Sequence, residues 1–319
     1  MTFFSRSLTR SFPLKPRVLL ILIPLLLLSA CGGVANTGSS SSGSKGNITV
    51  GGKQDIEAQV LSKMDSLLLH NAGFHVNEKL ALGDSPVVFN ALKSGAIDLY
   101  PEFTVTGLNV LGLKSSHDPQ KDYQTVKDGF KKQFKITWLN PSPLNDTYAL
   151  CTSKAEAQKL GITSLSDLAP KVSQLTLATP SDGISYVDDL QAAYGFGTRS
   201  FKSSTKVDYT IGFAAVKNNQ AQINVCYTTD GGVQQQNFVF LTDNKNGFPA
   251  FNPAPIVRDQ VLSSSPSIKD ALNPLAPYLT TEASIQWRAQ VTAKQAKNES
   301  ATQAVKEVAQ DFLKSKNLL

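Results

Sequence analysis

Short strand patterns alternate with capped helix patterns, and this alternation constrains the fold more than any other feature of the sequence. Residues 48–52 have the apolar character of a buried strand, and Asp55 follows as a helix cap. Residues 74–82 form a second strand pattern, and residues 83–95 form a second helix pattern that ends at a glycine. A third strand is predicted to end at Tyr100. This β-α-β-α-β unit predicts a mainly parallel sheet with helices on its faces.

The same alternation restarts further along the chain. Further strand patterns occupy residues 136–139, 147–152, 174–179, 221–227 and 237–243, and the chain is predicted to be helical from about 266 to its end. Two such units are typical of a bilobal α/β protein whose ligand lies in the crevice at the carboxyl ends of strands. We predict a first lobe at 47–150, to which 253–319 return, and a second lobe at 151–252. The chain would then cross between lobes near Tyr148–Thr152 and Phe251–Pro255.

The first thirty residues have the pattern of a lipoprotein signal peptide. Basic residues precede an apolar run at 18–28, which is too short to span a bilayer comfortably. The run ends in LSAC, which resembles the bacterial lipobox, in which the cysteine (here Cys31) becomes the lipidated first residue of the mature protein. The Gly/Ser-rich stretch at 31–46 then predicts a flexible tether. A transmembrane anchor with a coincidental cysteine is the alternative.

The net charge gives no argument for a nucleic-acid partner. The whole sequence has 31 basic and 25 acidic residues, a formal charge of +6. Four of the basic residues and none of the acidic ones lie in the predicted signal peptide, so 27 against 25 leaves a charge of +2 for the mature chain. A nearly neutral body of this kind predicts no nucleic-acid binding.

The cysteines and histidines do not form a catalytic or metal-binding pattern. Cys151 and Cys226 could form a disulfide in an exported protein, or they could remain buried thiols. The three histidines are scattered, and the sequence has no phosphate-binding, dinucleotide-binding or nucleophile-elbow motif. We therefore expect no metal, no cofactor and no enzymatic activity.

Four aromatic residues lie at the ends of predicted strands or just beyond them: Tyr100, Tyr148, Tyr227 and Phe251. Because strand ends converge on the crevice, the four rings could form a cage whose π faces bind a cation. Such faces suit a quaternary ammonium group, which has no N–H to donate. The alternative is that these rings pack in the core or at its rim, as aromatic residues at strand ends commonly do.

Five segments resemble, in their order along the chain, the substrate-binding proteins of ABC importers for glycine betaine, choline and related quaternary amines. They are GGKQDIEAQ, ALGDSPVVFNALKSGAIDLYPEFTVTGL, NPSPLNDTYAL, CYTTDGG and FPAFNPAPIVR, and the similarity covers residues 47–319. The resemblance implies an α/β, type II periplasmic-binding-protein fold with two lobes, two hinge crossings and closure on the ligand. It also implies that the family's cage tyrosines correspond to Tyr100, Tyr148, Tyr227 and Phe251.

The sequence departs from the family pattern near this cage. Phe251 replaces a tyrosine, which keeps the π face and removes the hydroxyl. Phe103 also replaces a tyrosine. Pro180 stands where many relatives have an arginine that can hold a ligand carboxylate, so the substitution favours choline or another amine without a carboxylate. Lys53 or Arg258 could take over the role of that arginine.

Five polar residues are further candidates for ligand contacts: Gln59, Asp84, Ser85, Thr104 and Asp146. In the family, the segments that hold Gln59 and Asp84–Ser85 face the cleft. The alternative interpretation is local, with Asp84 or Ser85 as a helix cap and Asp146 as part of the turn before a strand. The sequence leaves both interpretations open.

These observations predict a monomeric, extracytoplasmic binding protein anchored to the membrane by a lipid on Cys31. It would capture a solute of the choline or glycine betaine class and deliver it to an ABC permease and its ATPase, because the ligand favours the closed state. Binding of carnitine, proline betaine, ergothioneine or a larger hydrophobic ligand by the same fold is one alternative, and a stand-alone sensor is another. An enzyme with the same bilobal fold would need a nucleophile–base pair or a group of metal-binding residues, and the sequence shows neither pattern.

Overall fold

The computed structural model describes residues 45–319, which form two five-stranded sheets with helices around them. The strands are β1 (Asn47–Lys53), β2 (His75–Gly83), β3 (Leu99–Phe103), β4 (Ile136–Trp138), β5 (Tyr148–Ser153), β6 (Thr176–Thr179), β7 (Ser203–Lys206), β8 (Ile223–Tyr227), β9 (Phe238–Phe240) and β10 (Pro253–Arg258). The α-helices are α1 (Ile56–Asn71), α2 (Ser85–Ser94), α3 (Thr104–Val110), α4 (Pro119–Phe134), α5 (Lys154–Leu160), α6 (Leu165–Leu168), α7 (Gly183–Tyr194), α8 (Tyr209–Lys217), α9 (Gly232–Gln235), α10 (Asp259–Ser264), α11 (Ser267–Leu272), α12 (Thr281–Gln295) and α13 (Ala301–Ser315). Short 3-10 helices lie at Ala169–Gln174, Thr198–Ser200 and Asn273–Tyr278.

The predicted signal peptide, Cys31 and nearly all of the predicted tether lie outside the described residues. Within residues 45–319, none of the helices has the length and apolar character needed to cross a membrane. In the same range, no three or more histidine, cysteine, aspartate or glutamate side chains are grouped so that they could hold a metal ion.

The two sheets share one topology. The strand order is β2-β1-β3-β10-β4 in the first sheet and β7-β6-β8-β5-β9 in the second. In each sheet three neighbouring strands are parallel, and the fourth strand in order, β10 or β5, runs antiparallel to both of its neighbours. That fourth strand is also the one that follows the other sheet in sequence, since β5 comes after β4 and β10 comes after β9. The chain therefore passes between the sheets twice, and the predicted two-lobed α/β architecture is confirmed.

The first sheet is covered on one face by α1 and by the helical end of the chain. The Asp55 side chain accepts a hydrogen bond from the Ala58 backbone N–H at 2.8 Å and so starts α1 as the sequence predicts. Apolar residues of α13 recur at helical spacing on one buried face and join the core that contains α1. Trp287 of α12 and Phe312 of α13 pack edge to face, with ring centroids 4.8 Å apart.

The second sheet has an apolar core on each face. One face packs β5, β6 and β8 against α7, with Leu150, Leu177 and Val225 fully buried. The other face contains Cys151 and Cys226, which form the disulfide that the sequence left open. The first residue of β5, Tyr148, already pairs with β8 of this second sheet.

Candidate functional site

Tyr148 and Tyr227 are direct neighbours across the second sheet. Tyr148 is the first residue of β5 and Tyr227 is the last residue of β8, and the two are register partners in an antiparallel pair. Their ring centroids lie 4.9 Å apart and their hydroxyl oxygens 3.5 Å apart. Because the strands are antiparallel, the start of one meets the end of the other at the same edge of the sheet. Two of the four predicted cage residues are thus brought together.

Tyr186 connects this pair to Phe251. The Tyr186 ring stacks on that of Tyr148 with centroids 4.1 Å apart, and it lies 6.0 Å from the ring of Phe251. The Phe251 backbone N–H donates to Oδ1 of Asn145, which holds this ring at the second passage between the sheets. Tyr186 was not predicted from the sequence, because it belongs to a helix rather than to a strand end. We refer to Tyr148, Tyr186, Tyr227 and Phe251 as the aromatic cluster.

Asp182 binds two hydroxyl groups of the aromatic cluster. Its Oδ2 accepts hydrogen bonds from Tyr148 at 3.1 Å and from Tyr227 at 3.2 Å. Burial, followed by the contact with Tyr227 and the nearby Asp182 carboxylate, raises the pKa of Tyr148 far above its ordinary value. Burial also raises the pKa of Tyr227. The two rings are therefore neutral at physiological pH, and a carboxylate at the rim fixes their orientation.

Tyr100 is not part of the aromatic cluster. Its side chain is 0% exposed and lies in a core cluster with Phe130 and Trp138 on the other face of the first sheet. Its hydroxyl donates to Oε2 of Glu102 at 2.7 Å, and burial, followed by the Glu102 charge, raises the pKa of Tyr100 well above its ordinary value. The structure therefore places this ring among core side chains.

Phe103 occupies the end of the strand that was predicted to end at Tyr100. β3 continues through Pro101 to Phe103, so the strand ends three residues later than expected. Because side chains alternate along a strand, Phe103 lies on the opposite face from Tyr100 and Glu102. Phe103 belongs to the core cluster against which Phe251 packs. Phe103 and Phe251 therefore belong to the same apolar region on this face of the first sheet.

Two cations that could replace the missing arginine at Pro180 are already paired. Lys53 forms an ion pair with the fully buried Glu102, and its Nζ lies 4.8 Å from the centroid of the Phe103 ring. Arg258 forms an ion pair with Asp98. Neither side chain is therefore an unpaired partner for a ligand carboxylate.

Four of the five polar candidates have either a hydrogen-bond partner within the chain or a position at the start of a helix. Thr104 is 0% exposed, donates to the Ala250 carbonyl oxygen at 2.6 Å and accepts from the Asn252 N–H at 3.1 Å. The Gln59 amide donates to a backbone carbonyl five residues earlier, at 2.6 Å. Asp84 occupies the N-cap position of α2 without a side-chain capping hydrogen bond, and Ser85 is the first residue of that helix.

Asp146, the fifth candidate, lies in a polar network that joins both sheets. Its carboxylate accepts a hydrogen bond from the hydroxyl of Thr229, which follows β8. The same hydroxyl oxygen accepts from Nη1 of Arg288 on α12 at 2.7 Å. Burial raises the pKa of Asp146, and the charge of Asp146 raises the pKa of Tyr227. The charge of Asp146 therefore acts on Tyr227 of the aromatic cluster.

A second buried carboxyl group, that of Glu57 on α1, faces the same network. Glu57 accepts a hydrogen bond from the hydroxyl of Ser284 on α12. Burial, followed by the charge of Asp146, raises the pKa of Glu57 to about 8. The sequence analysis did not identify Glu57, because it occupies an ordinary first-turn position of a predicted helix. Burial therefore favours the protonated form of this carboxyl group.

Comparisons with known proteins agree with this architecture. A family model described as the substrate binding domain of ABC-type glycine betaine transport systems matches residues 46–315. A protein of Escherichia coli named glycine betaine-binding protein YehZ is 30% identical over 84% of this chain and 90% of its own length. A protein of Listeria monocytogenes named carnitine transport binding protein OpuCC is 28% identical over 93% of this chain and 94% of its own length.

A solved structure supports the fold assignment. The structure described as apo YehZ from Escherichia coli superimposes with a TM-score of 0.70 at 28% identity, over 86% of this chain and 99% of its own. This overlap and the shared topology of the two sheets confirm the fold class that the resemblance implied. The relatives with matching sequences are named as transport binding proteins.

Proposed function

The chain belongs to the family of substrate-binding domains of ABC-type glycine betaine transport systems, and we propose that it captures a quaternary ammonium solute in the aromatic cluster. As a member of this family it is a substrate-binding protein of an ABC-type transport system. In this role it binds its solute and delivers it to a membrane permease, and it carries out no reaction of its own.

The observation that carries the proposal is the convergence of four aromatic rings from separate segments of the chain. Tyr148, Tyr186 and Tyr227 come from the second sheet and α7, and Phe251 comes from the segment that leads back to the first sheet. Each π face contributes about 0.5–2 kcal/mol to cation binding. Asp182 beside two of these rings adds negative potential at the rim. Together these groups suit a cation that has no N–H donor.

Within this class the pairing of the basic side chains favours a solute without a carboxylate. Glu102 holds Lys53, Asp98 holds Arg258, and residue 180 is a proline. A zwitterion such as glycine betaine would bring its carboxylate close to Asp182, and neither Lys53 nor Arg258 is free to pair with that carboxylate. We therefore propose choline or a similar cation as the preferred solute, with betaine, carnitine and ergothioneine as the alternatives to be measured.

We further propose that Phe103, rather than Tyr100, supplies the ring from the first sheet. Phe103 ends β3 and shares a core cluster with Phe251, whereas Tyr100 is buried on the other face. The 47–150, 151–252 and 253–319 segments would then form two lobes that close over the solute. Gln59, Asp84, Ser85 and Asp146 remain candidates for polar contacts in the closed form.

We also propose that the protein is exported and anchored to the membrane. A signal peptide at 1–30 and a lipid on Cys31 would keep a monomeric body at the outer face of the cell membrane, next to the permease and its ATPase. Metabolic labelling with a fatty-acid analogue tests this directly. Label should appear on the wild-type protein and disappear in Cys31→Ser, and label on both would contradict it.

Calorimetric titration of the full-length protein tests the solute assignment. Choline, glycine betaine, carnitine and ergothioneine are titrated under identical conditions. We expect choline to bind most tightly, with dissociation constants for the zwitterions at least about tenfold weaker. Absence of binding by all four solutes below the millimolar range would contradict the quaternary ammonium assignment.

A further inference from the structure

A cavity of the second lobe opens directly beside the aromatic cluster. Its volume is about 700 Å³, and its lining includes Tyr227 and Asp182, which are also part of the candidate solute site. The remaining lining comes from the loop after β6, the end of β7, the short connection after it and the first turn of α8. A solute head group held by the cluster therefore has free space on one side.

Part of the lining of this cavity is apolar. It includes Pro180, Val207, Tyr209 and Ile211. Ile211 is 51% exposed. A single exposed isoleucine is ordinary on a protein surface, but this one lies in a concavity with other apolar side chains. The arrangement offers apolar surface to a bound molecule.

Tyr209 extends the aromatic surface from the cluster into the cavity. Its ring centroid lies 4.9 Å from that of Tyr227. Its hydroxyl donates to Oδ2 of Asp230 at 2.5 Å and accepts from the backbone N–H of Tyr227 at 3.2 Å. The ring is therefore held in place before a ligand arrives, so ordering it adds little to the entropic cost of binding.

The charges around the cavity disfavour an anionic occupant. Asp182 and Asp208 contribute two carboxylates, and Lys206 contributes one ammonium group. The local balance is thus one negative charge. A neutral chain can lie along the apolar wall without meeting this charge, whereas a carboxylate or phosphate would be repelled.

We propose that this cavity is a second subsite, which takes a neutral and largely apolar substituent of a quaternary ammonium ligand. This inference rests on the proposed function, because the head group must be held by the aromatic cluster. The ligands of highest affinity are then cations that carry an alkyl or ester chain on the nitrogen. Zwitterions with a short acidic arm bind less well.

An alkyl series measures the subsite separately from the cage. Tetramethylammonium, butyltrimethylammonium and hexyltrimethylammonium are titrated calorimetrically into the full-length protein. We expect the affinity to rise by about three- to fourfold for each methylene that the cavity buries. In Ile211→Ser the gain with chain length should shrink severalfold, while the affinity for tetramethylammonium stays at the wild-type value.

Leu113→Ser is the matched control for this variant. Leu113 is 46% exposed and belongs to the first lobe, away from the cavity. This substitution should leave the whole series unchanged. If tetramethylammonium binds but chain length adds no affinity, or if the gain survives in Ile211→Ser, the subsite is wrong. If neither choline nor any member of the series binds, the proposed function itself fails.

Discussion

Individual side chains of this site combine two ways of attracting a cation. The rings of Tyr148 and Tyr186 stack on each other, so that their outer π faces are the ones that can attract a cation, and Asp182 offers a full negative charge next to the tyrosine hydroxyls. The carboxylate does not need to contact the cation, because its two hydrogen bonds fix the rings while its field reaches the site. A ring held in this way loses little freedom when a solute arrives.

Removal of one ring measures the contribution of the cluster. We expect Tyr148→Ala to weaken choline binding at least about tenfold, because one π face is lost and Tyr186 loses the ring on which it stacks. Tyr148→Phe should retain most of the affinity, since it keeps the π face and loses only the bond to Asp182. Calorimetry gives the affinities, and circular dichroism checks the fold.

The matched control for Tyr148→Ala is Tyr278→Ala, which removes a tyrosine that is 42% exposed. That variant should bind choline like the wild type. Unchanged affinity in Tyr148→Ala, with the fold intact, would remove Tyr148 from the site.

A pair of substitutions decides between Tyr100 and Phe103. Phe103→Leu keeps an apolar side chain of similar size and removes the π face, so choline binding should weaken by roughly two- to tenfold at a cost in stability below about 1.5 kcal/mol. Tyr100→Phe keeps the buried ring and removes its hydrogen bond to Glu102, so stability should fall by about 1–3 kcal/mol with binding unchanged. If Tyr100→Phe weakens choline binding and Phe103→Leu leaves it unchanged, Tyr100 rather than Phe103 contacts the solute.

At the scale of helices and strands, the sequence was most informative where a cap or a periodic apolar face was present. The helix predicted to start at Asp55 is α1, and Gly95 ends α2 in the left-handed conformation, with φ 79°, that a glycine adopts easily. The region predicted to be helical from about 266 contains α11, α12 and α13. Local chemistry was sufficient to predict these helices, because where a helix begins and ends depends mainly on neighbouring residues.

Strands that form only by pairing with residues far away in the sequence were not predicted. β7 is an edge strand with all four residues exposed, so it has no apolar alternation to detect. β10 contains Pro253 and Pro255, which argue against a central strand, yet it pairs with both β3 and β4. β3 likewise continues through Pro101.

Errors in strand ends explain what the sequence missed in the site. An early end for β3 selected Tyr100, which lies in a core cluster, and passed over Phe103, the last residue of the strand. Strand ends also could not reveal Tyr186, which lies one helical turn into α7. In contrast, Tyr148 and Tyr227 were found because their strands truly meet at one edge of the sheet.

At the scale of the whole molecule, two buried carboxyl groups make folding sensitive to pH. Burial raises the pKa of Asp65 on α1 to about 8, and one of its carboxylate oxygens has no hydrogen-bond partner among the described residues. The pKa of Glu57 is also raised to about 8 by burial and by Asp146. The charged groups that face Glu57 are Asp55 at the start of its own helix, Asp146, and Arg288 on α12.

The sign of the effect follows from proton binding. In the unfolded chain these two groups release their protons near their ordinary pKa values of 3.8 and 4.5, whereas the folded chain keeps them to about pH 8. The folded state therefore binds more protons throughout this window, and its free energy of unfolding must fall as the pH rises. Each group contributes a slope of up to about 1.4 kcal/mol per pH unit. The stabilisation from these groups is complete below pH 4 and lost near pH 8.

Thermal unfolding of the full-length protein at pH 5, 6.5 and 8 tests this behaviour. We expect the midpoint temperature to fall across the series, and we expect Asp65→Asn and Glu57→Gln each to make the fall shallower, because neutral amides have no proton to lose. Glu282→Gln, at an exposed position of α12, should keep the wild-type slope. If both buried variants also keep that slope, Asp65 and Glu57 are not the groups that retain protons in the folded state.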